Sequence, residues 1–257
     1  MDFSKMSFKE IQNYIDLLGS EKKYSYIDTL NQDTRKNVKK LAEKLSKQQE
    51  KNRAEIERLK TLWQYEGKCL KFGFESIAGL DEAGRGPLAG PVVASAVILP
   101  KYELIEGVND SKKLSEKKRD ELYEKIQDIA VDIGVGIVDN TLIDKINIFN
   151  ATKLAMKRAI ESMKIKPDFM LIDALEIADI NIKQKSIIKG DSKSISIAAA
   201  SIIAKVTRDR IVKEYDLTYP DYKFSKHKGY GTKEHYDAIM KYGITPMHRK
   251  SFLKNIR

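Results

Sequence analysis

Cysteine is almost missing from this chain: Cys69 is the single one among 257 residues, so no internal disulfide bond can form. Neither C-x-x-C nor H-E-x-x-H occurs, which excludes thiolate zinc sites and the common zinc-hydrolase motif. No run of about 18 apolar residues could cross a bilayer, and the amino terminus has no cationic segment followed by a long apolar stretch. We therefore expect a soluble cytoplasmic protein, in a reducing compartment and without a membrane partner.

The charge balance of the chain is basic. The sequence has 47 Lys and Arg against 37 Asp and Glu, a net charge of +10. The excess is concentrated after residue 204, where 13 basic residues stand against 6 acidic ones. Such an excess suits a polyanionic partner, but many other proteins carry a similar charge, so composition alone supports nucleic-acid binding only weakly.

Residues 1–70 predict a helical extension that precedes the main domain, residues 71–257. Ser7 and Glu10 have the spacing of a capping box, and apolar residues follow at helical spacing. A second, longer helix is predicted from Asn37 to Trp63. Its interrupted apolar stripe consists of Val38, Leu41, Leu45, Ile56, Leu59 and Leu62. The extension either packs on itself or on the main domain, or forms an arm that grips substrate or a partner; its 15 basic and 11 acidic residues do not decide between these.

The most informative stretch is a turn between two apolar strands, which are predicted at Ile77–Leu80 and Val92–Leu99. Glycines and prolines fill the turn, a composition that breaks regular structure and lets a backbone approach a ligand closely. The turn begins with Asp81 and Glu82, and Arg85 follows between two glycines. Two acids and one base therefore share a bend.

Three interpretations of this turn compete. Asp81 and Glu82 could be solvated residues of a hairpin, as in most short acidic turns. A phosphate-binding loop fails in detail, because G-x-x-x-x-G-K-[ST] is missing and paired carboxylates would repel a phosphate. A divalent-metal site uses every residue, since adjacent oxygen ligands suit a hard cation and Arg85 can take a phosphate.

A third acid follows a second apolar strand. Phe169–Ile172 is a continuous apolar run, as expected for a strand covered on both faces, and Asp173 stands at its carboxyl end. A helix predicted between Asn140 and Met163 gives the crossover that parallel strands require. If this strand and the first one are parallel neighbours, Asp81 and Asp173 can share a metal. Consecutive strand residues point to opposite faces, so Glu82 can join them only if the strand bends.

A fourth acid, Asp191, lies in the turn 190–194 between a short strand predicted at Ser186–Lys189 and a helix predicted from Ile195 to about Val212. Taken alone, Asp191 could simply favour the positive amino end of that helix. Beside the other three acids, it becomes the fourth carboxylate of a two-metal site. All four are oxygen donors without a cysteine or histidine partner, which suits Mg²⁺ or Mn²⁺ and disfavours zinc.

The carboxyl-terminal part contains a loop, residues 221–231, that interleaves aromatic and lysine side chains. This mixture can hold a nucleic-acid backbone electrostatically and stack on a sugar or base, although a solvated basic loop has the same composition. The three histidines, His227, His235 and His248, are spaced at 8 and 13 residues. This spacing is too irregular to indicate a shared metal site, so no histidine is interpreted as a ligand.

Four segments of the chain are more specific than their composition: DEAGRGPLAGPVVA from Asp81, FMLID ending at Asp173, GDSKSISIAAASIIAKVTRD from Gly190 and HKGYGT from His227. In this order they resemble the motifs of ribonuclease HII, a bacterial type 2 ribonuclease H. The resemblance spans residues 73–240. It implies an α/β ribonuclease H-like domain, a central mixed five-stranded sheet flanked by helices, followed by a basic helical tail.

The resemblance also implies an activity. A protein of this family would hydrolyse the RNA strand of RNA–DNA hybrids and cut 5′ to single ribonucleotides in duplex DNA, leaving 3′-hydroxyl and 5′-phosphate ends. Its roles would be ribonucleotide excision repair and primer clearance in DNA replication, and we expect a monomer. Arg85 between two glycines argues against the ribonuclease HIII branch, which lacks that triplet. A DNA-cutting transposase or resolvase of ribonuclease H fold, and a hybrid-binding module without catalysis, are the alternatives.

Specific residues carry these implied roles. The catalytic residues, which would hold two Mg²⁺ or Mn²⁺ ions, are Asp81, Glu82, Asp173 and Asp191. The substrate-binding residues, for the phosphates and 2′-hydroxyl of the ribonucleotide and for the next sugar, are Gly84, Arg85, Gly86 and Tyr230. These residue types suit the task, because glycines let a backbone come close and a guanidinium is a fixed fork of donors. The segment VNDSKK from Val108 also resembles a family segment near the substrate, although a polar loop needs no function.

Overall fold

The computed structural model describes residues 3–19 and 21–254. Its α-helices are α1 (Phe8–Leu17), α2 (Ile27–Asn31), α3 (Lys36–Leu62), α4 (Gln64–Lys71), α5 (Glu116–Ile129), α6 (Asn140–Glu161), α7 (Ile195–Thr218), α8 (Phe224–His227) and α9 (Lys233–Tyr242). Its strands are β1 (Ile77–Ala83), β2 (Val92–Ile98), β3 (Asp132–Val138), β4 (Phe169–Asp173) and β5 (Lys183–Ile187). Helix α7 runs six residues beyond the predicted end near Val212, and β5 begins three residues before the predicted Ser186.

The strands form one mixed sheet, which within the described residues has the order β3-β2-β1-β4-β5. Strand β1 pairs antiparallel with β2 and parallel with β4, and β5 is parallel to β4. Helix α6 lies between β3 and β4 in the chain and supplies the crossover that the parallel pair β1 and β4 needs. The predicted fold class, a mixed five-stranded sheet flanked by helices with a helical region before it, is confirmed.

Strand β1 is longer than the sequence predicts. Asp81 and Glu82 were expected in the turn, but both lie within the strand, where they pair with Ser95 and Ala94 of β2. The placement in the turn was wrong because the neighbouring strand extends the ladder past the point where the apolar run of β1 stops. The carboxylates therefore sit on regular backbone, which fixes the face that each of them leaves from.

Both faces of the sheet are covered by helices. Ala78 and Leu80 of β1 pack in one apolar cluster with α6, whereas Ile77 packs in another with Ile197 of α7. Strand β4 alternates in the same way, with Met170 and Ile172 in the α6 cluster and Leu171 in the other. Since Leu80 pairs with Ile172, the next residues of the two strands, Asp81 and Asp173, both leave the sheet on the α7 face.

The chain divides into two compact units, residues up to Arg58 and residues from Leu59. The first unit has its own apolar core, formed by Phe3, Ile11, Ile15, Ile27, Leu30, Val38, Leu41, Ala42 and Leu45. The capping box predicted for α1 is present, with Ser7 accepting from the Glu10 backbone and Glu10 from that of Ser7. Ile56 is 44% exposed and does not belong to the apolar stripe predicted for the long helix.

No helix among residues 3–19 and 21–254 combines the length and the apolar character that crossing a membrane requires.

Helix α7 lies very close to β1, and a glycine makes this approach possible. A Cβ atom built on Gly79 would stand 2.1 Å from the backbone carbon of Ser196. Small side chains on the first half of α7, among them Ala198 and Ala200, are fully buried. Because the obstacle is backbone, it cannot move aside as a flexible side chain would.

We expect Gly79→Ala to lower the free energy of unfolding by about 1–3 kcal/mol, because the added methyl group must push α7 off the sheet. The matched control is Gly67→Ala, since Gly67 lies in α4 and nothing approaches its Cβ position within 4 Å. That change should stabilise the protein by about 0.5–1 kcal/mol. Urea unfolding followed by circular dichroism measures both, and equal effects of the two substitutions would refute the close packing.

Candidate active site

Asp81 and Asp173 are held by directed hydrogen bonds at adjacent strand ends. The Asp81 side chain is buried, accepts the backbone N–H of Glu82 at 2.7 Å and is hydrogen-bonded by Ser201 of α7. The Ser201 hydroxyl lies 2.9 Å from that of Ser111. Asp173 accepts the backbone N–H of Gly190 at 2.8 Å, which ties the turn that carries Asp191 to the end of β4. The predicted adjacency of the two strand ends is therefore present.

The other two acids come close to this pair. Burial, and then repulsion from Glu82 and Asp173, raises the pKa of Asp81 well above its usual value. Burial also raises the pKa of Glu82. The attraction of Arg85 opposes this rise, and repulsion from Asp173 adds to it. The pKa of Asp191 is raised by burial and then by Asp110 and Asp173. Asp173 thus lies within electrostatic reach of all three other acids singled out in the sequence.

Asp110 is a fifth carboxylate beside this group, in the VNDSKK segment that the sequence analysis mentions without assigning a role. Its side chain caps the short helix at 111–113 by accepting the backbone N–H of Lys112 at 2.9 Å, and its proximity raises the pKa of Asp191. The positive charge of Lys112 attracts the carboxylates of Glu82 and Asp191 and so opposes part of the rise in their pKa values. The segment therefore supplies one acid and one base at the edge of the group.

The donor set suits a hard divalent cation, because the grouped side chains are all carboxylates. The raised pKa values of Asp81, Glu82 and Asp191 reflect negative charge that is buried and crowded, which a bound cation would relieve. Within the part of the chain that the structure describes, no three Asp, Glu, His or Cys side chains are already arranged to hold a metal ion. The residues thus have the chemistry for a metal, while metal-binding geometry requires side-chain movement.

The turn after β1 is fixed by two buried arginines that the sequence analysis did not single out. Arg249 donates from Nη2 to the carbonyl of Gly84 at 2.6 Å and from Nη1 to that of Arg85 at 3.0 Å. Arg208 of α7 donates from Nη2 to the carbonyl of Ala89 at 3.1 Å. Both guanidinium groups are fully buried, and burial lowers the pKa of Arg249 to about 9. Main-chain carbonyls of the turn are thus the principal partners of these two cations.

Gly84 shows why the turn needs glycine at this position. Its φ is +97°, and a Cβ built on it would stand 2.3 Å from Nε of Arg208. A side chain would therefore both strain the backbone and displace the buried guanidinium. The composition of the turn indicated glycine freedom, but the arginines that require it come from distant parts of the chain.

The four predicted substrate-binding residues are brought together. Arg85 is half-exposed and its Nη1 lies 3.3 Å from Oε1 of Glu82. A Cβ on Gly86 would be 4.0 Å from Cε1 of Tyr230, so the tyrosine ring stands next to the turn. The Tyr230 ring is 39% exposed, and Nζ of Lys205 lies 5.5 Å from its centre. One exposed ring, one exposed guanidinium and a glycine backbone thus share one surface beside the acids.

The aromatic and lysine loop differs from its interpretation in the sequence. Tyr222 and Phe224 are buried in an apolar cluster with Leu88 and Val212, and their rings stack 5.4 Å apart. These two rings are therefore not available to stack on a sugar or base. Alternation of aromatic and basic residues could not reveal this, because a 3-10 turn at 220–222 carries Tyr222 and the short α8 that follows carries Phe224, and both side chains are buried.

The three histidines meet in one buried cluster, which their spacing did not suggest. The rings of His227 and His235 stack with centres 4.3 Å apart, and Nε2 of His235 lies 3.0 Å from Nε2 of His248. Burial lowers the pKa of His227, and lowers those of His235 and His248 to about 4. The cluster is thus neutral at neutral pH.

A buried glutamate anchors the amino end of α7, directly after the turn that carries Asp191. Oε1 of Glu66 accepts the hydroxyls of Ser194 and Ser196 at 2.5 and 2.6 Å and the backbone N–H of Ser196 at 3.0 Å. Burial raises the pKa of this carboxyl group. Glu66 belongs to the helical region that the sequence analysis treated as an extension, so its link to this helix was not foreseen.

The fold and the site define a class. A mixed sheet of this order, with acids grouped at the ends of β1 and β4 and a helix packed closely across both strands, is a ribonuclease H-like domain. Family models extend this class to a family: the model described as ribonuclease HII matches residues 78–255, and the model described as ribonuclease HII N-terminal domain matches residues 7–70.

Similar proteins agree with the family models. Ribonuclease HII of Clostridioides difficile (strain 630) is 60% identical over 250 residues, covering 97% of this chain and 98% of its own length. Ribonuclease HII of Acetivibrio thermocellus is 53% identical over 250 residues, with the same coverage of both chains. The crystal structure of ribonuclease H2 from Pyrococcus horikoshii OT3 is 30% identical with a TM-score of 0.56, covering 69% of this chain and 93% of that one. In the structure of the PCNA:RNase HII complex from Archaeoglobus fulgidus, the matched chain is 27% identical with a TM-score of 0.58, covering 68% and 94%.

The chain belongs to the ribonuclease HII family. Membership makes it a divalent-metal-dependent endoribonuclease that acts on the RNA strand of RNA–DNA hybrids. The resemblance stated from the four sequence segments is thereby confirmed. A transposase or resolvase, a binding module without catalysis and a ribonuclease HIII are all disfavoured by matches of this extent.

The histidine cluster predicts how stability depends on pH. In the unfolded chain a histidine has a pKa near 6.5, whereas His235 and His248 have values of about 4 when folded. Above pH 6.5 both states are neutral, so these groups add no pH dependence. As the pH falls below 6.5 the unfolded state binds protons that the folded state rejects, and stability decreases until the pH approaches 4.

Between pH 7.5 and 5.5 each of these two histidines should lower the free energy of unfolding by about 1.4 kcal/mol. Replacing His248 by glutamine removes one titrating group, so the variant should lose less stability over that interval than the wild type. Urea unfolding at both pH values measures the difference. Parallel pH profiles for the two proteins would show that His248 is not held neutral.

Proposed function

We propose that this chain cuts the RNA-containing strand 5′ to single ribonucleotides in duplex DNA, as well as within RNA–DNA hybrids. The observation that supports this most directly is the position of the acids: three carboxylates, those of Asp81, Glu82 and Asp191, lie around Asp173, beside a surface formed by Arg85, glycine backbone and the Tyr230 ring. The first feature suits phosphodiester hydrolysis, and the second suits the recognition of one sugar. The biological role is ribonucleotide excision repair, with primer clearance in DNA replication.

The metal-binding and catalytic residues in this proposal are Asp81, Glu82, Asp173 and Asp191. When bound, two Mg²⁺ or Mn²⁺ ions would activate a water molecule and stabilise the leaving oxygen of an in-line displacement, which gives 3′-hydroxyl and 5′-phosphate ends. Asp81 and Asp173 are anchored by backbone donors and leave the same face of the sheet, so they form the fixed part of the site. Glu82 and Asp191 lie within electrostatic reach of Asp173, and the ion pair of Glu82 with Arg85 must open or shift as metal and substrate enter.

Sugar recognition in this proposal uses Gly84, Arg85, Gly86 and Tyr230. The 2′-hydroxyl is the group that distinguishes RNA from DNA at one position, so a backbone amide or a fixed guanidinium placed beside it can select a ribonucleotide. Arg249 and Arg208 hold the carbonyls of the turn, which leaves its outer side free to face a substrate. Tyr230 stands against Gly86, where an aromatic ring leaves little space for a second hydroxyl on the next sugar.

The proposed active site needs only one chain, which supports action as a monomer. All eight residues assigned to metal or substrate lie between Asp81 and Tyr230, within the second compact unit. Residues 1–70 form the helical extension and residues 71–257 the catalytic domain with its basic carboxyl-terminal region. Glu66 qualifies this division, since a residue of the extension anchors the amino end of α7.

Asp81→Asn should lower cleavage of a duplex with one ribonucleotide by more than about 100-fold, because removing a direct metal ligand should exceed the cost of removing an outer partner. The same change should raise the melting temperature of the metal-free protein, since it deletes a buried charge that Glu82 and Asp173 repel. Mg²⁺ and Mn²⁺ should raise the melting temperature of the wild type and have a smaller effect on the variant.

Cleavage of a labelled duplex and thermal unfolding with metal or chelator measure these effects. The control is Asp179→Asn, which changes an exposed acid in the connection between β4 and β5 and should behave as the wild type in both assays. An Asp81→Asn protein that cuts normally, or that loses stability without metal, would contradict the proposed site.

Arg85→Ala should lower the preference for a ribonucleotide over a deoxyribonucleotide by about tenfold or more, because a charge-assisted hydrogen bond is lost. The metal concentration for half-maximal cleavage should change little, since Arg85 is no ligand. Paired duplexes that differ in a single 2′-hydroxyl measure the preference, and Arg210→Ala, which removes an exposed arginine of α7, is the control. Unaltered discrimination in the Arg85→Ala enzyme would refute this account of sugar recognition.

A further inference from the structure

The backbone of Tyr230 is held on both sides by the histidine cluster. Its N–H donates to the carbonyl of His227 at 3.0 Å. Its carbonyl accepts the backbone N–H of Thr232 at 2.8 Å and lies 2.9 Å from Nδ1 of His235. The ring of Tyr230 is exposed, whereas these backbone groups are hydrogen-bonded in the interior. The histidine cluster therefore fixes the backbone position from which the Tyr230 side chain extends.

Hydrogen bonds from backbone amides determine which ring nitrogens carry protons. Nδ1 of His248 accepts the N–H of Thr245 at 2.9 Å, so the proton of this neutral ring is on Nε2. That proton is donated to Nε2 of His235, 3.0 Å away. His235 must then carry its own proton on Nδ1, which donates it to the carbonyl of Tyr230. A chain of directed hydrogen bonds therefore runs from Thr245 through both histidines to Tyr230.

His227 follows the same logic beside this chain. Its Nδ1 accepts the N–H of Gly229 at 3.2 Å, so its Nε2 donates to the carbonyl of Tyr222 at 2.8 Å. Each ring nitrogen of the three histidines thus has a hydrogen-bond partner, which leaves no lone pair directed at a metal ion. The cluster is built to position the backbone.

The segment that carries His248 also supports the turn beside the acids. The next residue is Arg249, whose guanidinium holds the carbonyls of Gly84 and Arg85. The turn and this segment are also joined through their backbones: Ala89 and His248 form a β-bridge, and the N–H of Gly90 donates to the carbonyl of Met247 at 2.9 Å. One short stretch of the carboxyl-terminal tail thus fixes both the glycine turn and, through His235, the tyrosine that stands against it.

We propose that His235 and His248 are positioning residues that hold Tyr230 against the Gly84–Gly86 turn and so determine how strictly the enzyme selects a single ribonucleotide. This inference rests on the proposed function of Tyr230 and adds two residues that touch neither metal nor substrate. Their effect is on the choice of sugar, because the acids that carry out cleavage are held by other contacts, from Gly190 and Ser201.

The first test does not depend on activity. The chain has only three histidines, so an untagged protein labelled with ¹⁵N-histidine gives a simple imidazole spectrum. At pH 7.5 His235 should show a proton on Nδ1, and His227 and His248 protons on Nε2. A different pattern of protonation would overturn the hydrogen-bond chain, whatever the substrate of the enzyme.

The second test compares two substitutions of His248. His248→Gln keeps an amide N–H that can donate to His235, whereas His248→Leu has a similar size and no donor. His248→Leu should lower the ratio of kcat/KM for a duplex with one ribonucleotide to kcat/KM for a uniform RNA–DNA hybrid by about tenfold, because a displacement of about 1 Å costs this much or more. His248→Gln should retain the ratio of the wild type within about threefold.

Three controls separate positioning from general damage. Lys241→Ala, which changes an exposed residue of α9, should match the wild type on both substrates. Thermal unfolding shows whether each variant is folded at the assay temperature. Tyr230→Ala should lower the same ratio, and adding His248→Leu to it should cause no further loss, since both act through one ring.

The outcomes distinguish this inference from the proposed function. Additive losses in the double variant, or equal losses on both substrates with His248→Leu, would overturn the positioning role. A wild-type enzyme without any preference for the single ribonucleotide would instead refute the proposed substrate, while the ¹⁵N spectrum would still decide whether the histidines hold Tyr230.

Discussion

Crowded negative charge in a buried place is the constraint on which this structure depends. The parallel register of β1 and β4 puts Asp81 beside Asp173, and the alternation of a strand sends both to the α7 face. A register shift of one residue would turn one of them away, so the pairing of the strands determines the site. Buried charges are screened only weakly by water. Hydrogen bonds from Gly190 to Asp173 and from Ser201 to Asp81 stabilise them instead. The crowding that disfavours the metal-free fold is also what a bound divalent cation would relieve.

The turn next to the acids poses the opposite problem, because it exposes carbonyl groups that no regular structure pairs. Arg208 and Arg249 solve it by placing guanidinium groups inside the protein, where a set of carbonyl dipoles replaces water around each charge. Arginine suits this role better than lysine, since its planar fork directs several donors at once and stays charged when buried. The turn is rigid as a result, because Gly84 has no room for a side chain beside Arg208. A rigid turn suits the proposed recognition of one sugar by its backbone.

The sequence predicted those features that depend on local periodicity. The apolar run that ends at Asp173 is β4, and the capping box of Ser7 and Glu10 stands at the start of α1. Features that depend on distant partners were not predictable in the same way. Strand β1 continues through Asp81 because β2 lies beside it, and Tyr222 is buried although its neighbours are lysines. No local pattern shows which carbonyls a guanidinium such as that of Arg249 will reach, because those contacts exist only after the chain has folded.

The contacts of the site fall into two groups, which share few members. The acids depend on the sheet register and on the amino end of α7, where Glu66 accepts from Ser194 and Ser196. The surface proposed to meet the sugar depends on the carboxyl-terminal tail, through Arg249 for the turn and the histidine chain for Tyr230. Because the carboxyl-terminal tail supports the second group and not the acids, damage to the tail need not impair the acids. This architecture therefore permits a variant that still cleaves but selects the single ribonucleotide less strictly. Substitution of a buried residue in the carboxyl-terminal tail would produce such a variant.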